Sequence, residues 1–101
     1  MTTEFIKNLI DQAHGHILNG DSDNAIEMLS SIKLRVHEEE PVAAIKAFTK
    51  DTDAKFDVLR EQIISSTDDP IRKDLNIADA NHKRAMQYLD FFDGLIRQYD
   101  I

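Results

Sequence analysis

The chain has no cysteine and no tryptophan, and only three glycines and two prolines among 101 residues; each shortage narrows what it can be. Without cysteine there is neither a disulfide framework nor a thiolate metal site, and a reducing compartment is the natural setting. All-β folds need turn residues at every hairpin, so the scarcity of glycine and proline leaves long helices as the building material. Positive charge is also short: twelve lysines and arginines face nineteen acidic residues, a net charge of −7. Binding a phosphate backbone takes clustered lysine and arginine, so nucleic acid is not an expected partner. Met1-Thr2-Thr3-Glu4 lacks the basic and apolar regions of a secretory signal, and no apolar run reaches the length of a membrane span. A cytoplasmic protein with no membrane association is expected.

Apolar residues make up 42% and charged residues 31%, the balance of a folded globular chain, and the length fits a single helical domain over residues 1–101. The apolar positions recur at helical spacing in four segments. The first, capped by Thr2 or Thr3, carries Ile6, Leu9, Ile10, Ala13 and Ile17 and ends at Asn19-Gly20. Gly20 is a left-handed terminator, and Asp21-Ser22 directly offers a cap for a second helix, Asp23 to His37, with Ala25, Met28, Leu29, Ile32 and Val36 on one face. Glu38-Glu39-Glu40 suits the positive end of a helix dipole, so Pro41 is expected to open a third helix with the seam Ile45, Phe48, Thr52, Phe56, Leu59 and Ile63. After the polar connector Ser65 to Asp69, with Asp69 as cap and Pro70 in the first turn, the fourth helix carries Ile71, Leu75, Ala78, His82, Ala85, Leu89, Phe92, Ile96 and Tyr99 on one stripe.

The expected fold is all-α, a four-helix antiparallel bundle made of a short hairpin packed on a longer one. At 1.5 Å per residue the first two helices span roughly 24 Å and the last two roughly 37 to 43 Å. A short hairpin cannot cover a longer one along its whole length. Either the third or fourth helix bends or breaks and the monomer closes on itself, or part of the long pair meets another chain, most simply in a two-fold homodimer; the second is expected, with Phe91, Phe92, Leu95 and Ile96 as the candidate interface.

Several short patterns bear on chemistry. Ala13 to Pro41, with Gly20-Asp21 before Asn24-Ala25-Ile26-Glu27, resembles one tetratricopeptide repeat; it covers under a third of the chain, lacks the repeat's aromatic positions and does not recur, so it reads as a plain helical hairpin. Ser22 to Met28 resembles the acyl carrier protein site, where an Asp-Ser pair opens a helix and the serine accepts phosphopantetheine. Asp21-Ser22 and Glu27 match; Asp23 stands where leucine is expected and the family's preceding long loop is missing, which favours Ser22 as a helix cap. Asp11-x-x-His14 and Asp79-x-x-His82 have the spacing of helical di-metal ligand pairs, but Asp11 points away from its helix's apolar stripe, so no metal or other cofactor is expected. His14 and His16 lie about 200° apart around a helix and cannot share an ion.

His82 falls on the apolar seam of the fourth helix, either as a core histidine with its nitrogens satisfied or as part of a ligand site. With Arg84 and Tyr88 it forms the candidate ligand-binding set, able to meet an anionic, nucleotide-like molecule at a subunit interface. No stretch gathers a nucleophile, a base and oxyanion donors, so the chain is expected not to be an enzyme. What remains is a small acidic interaction protein, an adaptor, regulator or inhibitor acting on a protein partner.

Overall fold

The computed structural model describes residues 3–34, 36, 39–66 and 68–99. The expected cap at Thr2, the C-terminal end of the second helix at His37, and Glu38 of the acidic triplet lie outside them. Four helices follow one another: α1 (Thr3–Leu18), α2 (Ser22–Ser30), α3 (Glu39–Ser66) and α4 (Pro70–Tyr99), with a 3-10 segment Ser31–Leu34 after α2. The architecture is the expected short hairpin on a long one. α4 is its centre, touching α1, α2 and α3, while α1 and α2 pack on each other. The longest dimension, 48 Å, matches the length of a 30-residue helix at about 1.5 Å per residue.

Local signals set most of the helix ends. Gly20 has φ +79°; its N–H bonds the carbonyl of Ile17 at 3.1 Å and the Asp21 N–H bonds that of His16 at 2.8 Å, the paired bonds of a Schellman ending. The Asp21 carboxylate lies 3.5 Å from His16 Nδ1, so a polar contact stands where this motif more often has an apolar one. Asp21, not Ser22, is the cap residue of α2: Ser22 is the first helical residue and is buried, which withdraws it as a modification site. At α4, the Asp69 carboxylate accepts a 3.0 Å bond from the Ile71 N–H ahead of the Pro70 ring, as expected.

Two boundaries differ from the expectation. α2 stops at Ser30, where Ser31 Oγ donates to the Met28 carbonyl at 2.6 Å and competes with the backbone ladder; the tighter 3-10 segment then returns Ile32 to the core. α3 opens at Glu39, two residues before Pro41. Proline is tolerated in that first turn because the leading N–H groups of a helix have no intrahelical acceptor.

The core is one cluster. Ile6, Ile10, Ala13 and Ile17 of α1 meet Ala25 and Leu29 of α2, Ile45 of α3, and Ala85, Tyr88, Leu89, Phe92, Leu95 and Ile96 of α4. Aromatic rings join α3 to α4: Phe48 stacks on Phe91 with centroids 4.1 Å apart and meets the Tyr88 ring edge-on at 5.2 Å. Among the described residues, no helix is long and apolar enough to cross a membrane.

Candidate functional site

The apolar stripe of α4 is continuous in sequence but split in space. Ala85, Leu89, Phe92 and Ile96 are buried, whereas Ile71 is 72% exposed, Leu75 is 64% exposed, and Ala78 and His82 are open to solvent. At about 100° per residue the four exposed positions lie within a 60° arc, in line with the buried four. The apolar faces of the short hairpin's helices pack on the stripe in the C-terminal half of α4. The hairpin's turn, Gly20 to Asp23, lies beside Asp74, Ile77, Ala78 and Asn81, and Leu75 and Ile71 next to and beyond it are exposed.

The mismatch in hairpin lengths therefore exists, but at the opposite end from the one expected. Phe92, Leu95 and Ile96 are buried within the chain at 0%, 3% and 5% exposure, and Phe91 is partly buried under Phe48. They belong to the protein's own core, which removes the ground for assigning them to an interface. Chain connection explains the reversal. Only four residues separate Leu34 from Glu39, so the exit of the short hairpin is tied to the start of α3, and α3 runs antiparallel to α4 from the latter's C-terminal end. The α3–α4 turn must be the end that projects. Val58, Leu59 and Ile64 of α3 are exposed there as well.

The expected ligand set divides. His82 is exposed, so the core-histidine expectation is corrected: the α1–α2 turn lies beside Ala78 and Asn81 but leaves this position of the seam open. Arg84 and Tyr88 instead enter a polar network that the sequence did not reveal. Arg84 Nη1 meets Asp53 Oδ1 of α3 at 3.2 Å, Nη2 donates to Asn81 Oδ1 at 2.8 Å, and the guanidinium lies 4.1 Å from the centre of the Phe56 ring. Tyr88 donates its hydroxyl to the same Asp53 oxygen at 2.7 Å, and Asn81 Nδ2 donates to Asp23 Oδ1 of α2 at 2.7 Å. Burial, and then the hydrogen bond to Asp53, raise the Tyr88 pKa well above the ordinary tyrosine value, so the phenol remains a donor across the physiological range. The signal in the sequence was faint: Asn81, Arg84 and Tyr88 share one face of α4 at three-and-four spacing, but their partner Asp53 is remote in the chain.

This network joins α2, α3 and α4 and leaves Arg84 little capacity for a ligand. The cleft beside it, lined by Thr52, Phe56, Lys83 and Arg84 among others, has a volume of about 160 Å³. Small-molecule sites are ordinarily roughly 300 Å³ or larger. The cleft at the α1–α2 turn is larger, about 310 Å³, but presents Asp21, Asp23 and Asp74, which oppose an anion. Asp11, His14, Asp79 and His82 are all exposed, and among the described residues no three metal-binding side chains come together. Comparison with family models, with curated proteins and with solved structures finds no match for this chain.

Proposed function

We propose that the chain is a non-enzymatic protein-interaction module, an adaptor, regulator or inhibitor, whose contact surface is the exposed stripe Ile71, Leu75, Ala78 and His82 of α4. The reading is supported by one observation: a helical face that is core along half its length is left bare along the other half, with isoleucine and leucine exposed by 72% and 64%. Single exposed apolar residues are common on folded proteins, whereas an aligned row continuing a core seam is the form in which a helix meets a groove or another helix. A site for a nucleotide-like anion on His82, Arg84 and Tyr88 fits less well, because Arg84 is already paired with Asp53 and Tyr88 is 1% exposed.

Capture of partners on immobilised protein tests the proposal. Leu75→Asp places a charge in the middle of the stripe, and Leu34→Asp makes the same change at another exposed leucine. A partner retained by the parent and by Leu34→Asp, and lost with Leu75→Asp, is the expected result. Equal retention by all three would remove the stripe from any role in binding.

A further inference from the structure

We propose that the occupant of the α4 stripe is a second copy of the same stripe, packed antiparallel about a two-fold axis between residues 76 and 77. This rests on the interaction reading above and names its partner. Ile71, Leu75, Ala78, His82, Ala85, Leu89, Phe92 and Ile96 are spaced alternately by four and three, an unbroken heptad seam. Its buried half already packs against α1 and α2, so the bare half has the same spacing and the same need for a facing helix. Antiparallel pairing about the stated axis sets Leu75 of one copy against Ala78 of the other, and Ile71 against His82. Each layer thus matches a larger side chain with a smaller one, or an aliphatic one with a ring, and every layer occurs twice.

The charges beside the stripe select that direction. In an antiparallel pair the residues flanking the seam on one side meet their equivalents on the same side, which joins Arg72 of one copy to Asp79 of the other, twice by symmetry. On the other side Asp74 meets Asn81, itself neutral but holding the Asp23 carboxylate of its own chain, so the favourable charge contacts are those of Arg72 with Asp79. A parallel pair would instead set Asp74 against Asp79 of the second copy, twice, and place like charges together. Arg72 also lies in the first turn of α4, a turn without an acidic residue, where the helix dipole disfavours a cation. It makes no ion pair among the described residues. An acidic neighbour from a second copy would satisfy it. Asp79 is exposed, with Lys83 as its only ion-pair partner among the described residues, at 3.3 Å. Long-range repulsion between two chains of net charge −7 is screened beyond about 8 Å at physiological salt, while contacting pairs persist.

Sedimentation of the full chain in 0.15 M salt, up to about 0.5 mM, tests this with surface variants whose folding is checked by circular dichroism. The parent protein is expected to dimerise reversibly and Leu75→Asp to stay monomeric. Arg72→Asp and Asp79→Arg should each weaken self-association by about tenfold, because each turns both cross-pairs into like-charge contacts. Mixed in equal amounts, those two variants should recover the parent affinity, since the heterodimer again has two opposite-charge pairs. A parent that stays monomeric, or a mixture no tighter than either variant alone, overturns the proposal. A monomeric parent whose captured partner is still lost with Leu75→Asp overturns self-pairing only; a monomeric parent whose partner survives that change overturns the interaction reading too.

Discussion

Arg84 is the side chain whose removal asks most directly what fastens α3 to the rest of the bundle. Its side chain is 19% exposed and that of its partner Asp53 is 48% exposed, so their pair is discounted towards the surface value of about 1 kcal/mol. The hydrogen bond to Asn81 contributes about 1 kcal/mol, and the guanidinium over the Phe56 ring about 0.5–1 kcal/mol. Against these stands the buried Arg84 Nε, which has no hydrogen-bond partner and costs about 1 kcal/mol. The net is about 2 kcal/mol in favour of arginine. Arg84→Met keeps the apolar stem against Phe56 and loses only the polar contacts, so it should lower urea-unfolding stability by that 2 kcal/mol, or about 10 °C in Tm for a domain of this size. A double-mutant cycle with Asp53→Ala should give a coupling of about 1 kcal/mol, because each single change already breaks their contact. If Arg84→Met lies within about 0.5 kcal/mol of the parent, the polar contacts of Arg84 contribute nothing net, which refutes their part in holding α3.

Other changes follow from the same contacts. Tyr88→Phe removes one donor from Asp53 and should cost about 1–2 kcal/mol at neutral pH, read by urea titration. Because the Tyr88 pKa is raised in the folded chain, the stability it contributes is complete below the ordinary tyrosine value near 10 and declines as pH rises above it; between pH 9 and 11 the parent should lose stability faster than Tyr88→Phe. Phe92→Ala empties a fully buried position and should cost about 3–5 kcal/mol, enough to abolish cooperative thermal unfolding in a marginal domain. Gly20→Ala meets no neighbouring atom within 4 Å, so its expected cost of about 1–2 kcal/mol comes from the positive φ alone. Leu75→Gln, on the exposed stripe, should leave monomer stability unchanged within about 0.5 kcal/mol by the same assay.

Much of the fold was legible because its signals are local. Gly20, Asp69 and Pro70 mark ends that need nothing beyond their own neighbours, and the apolar spacing of α1 and of the C-terminal half of α4 gives the buried faces found. The end of α2 was less legible, since Ile32 and Val36 keep helical spacing through a segment that Ser31 has already drawn into a 3-10 turn. His82 and Phe92 were misread for a common reason. Periodicity gives the direction in which a face points but not how far along it a neighbouring helix extends. The connection between Leu34 and Glu39 carried that information, because so few residues cannot return the short hairpin to the α3–α4 turn. Asp53 was hidden in another way: one carboxylate among many on an exposed helix, identified only when Arg84 and Tyr88 are brought to it.

The polar network also marks where the monomer's own core ends. Asp23, Asn81 and Arg84 occupy the level of α4 just before Ala85, the first buried residue of the covered half-seam. Beyond it, among the described residues, only the α1–α2 turn beside Asp74 and Ala78 accompanies α3 and α4, too little apolar contact to require leucine and isoleucine on their outer face. Polar residues there would cost the monomer almost nothing in stability and would improve its solubility. Ile71 and Leu75 are thus apolar without a benefit to the folded chain alone. The charged network closes the core just short of them, so the second helix proposed above would join the stripe without disturbing the packing behind it.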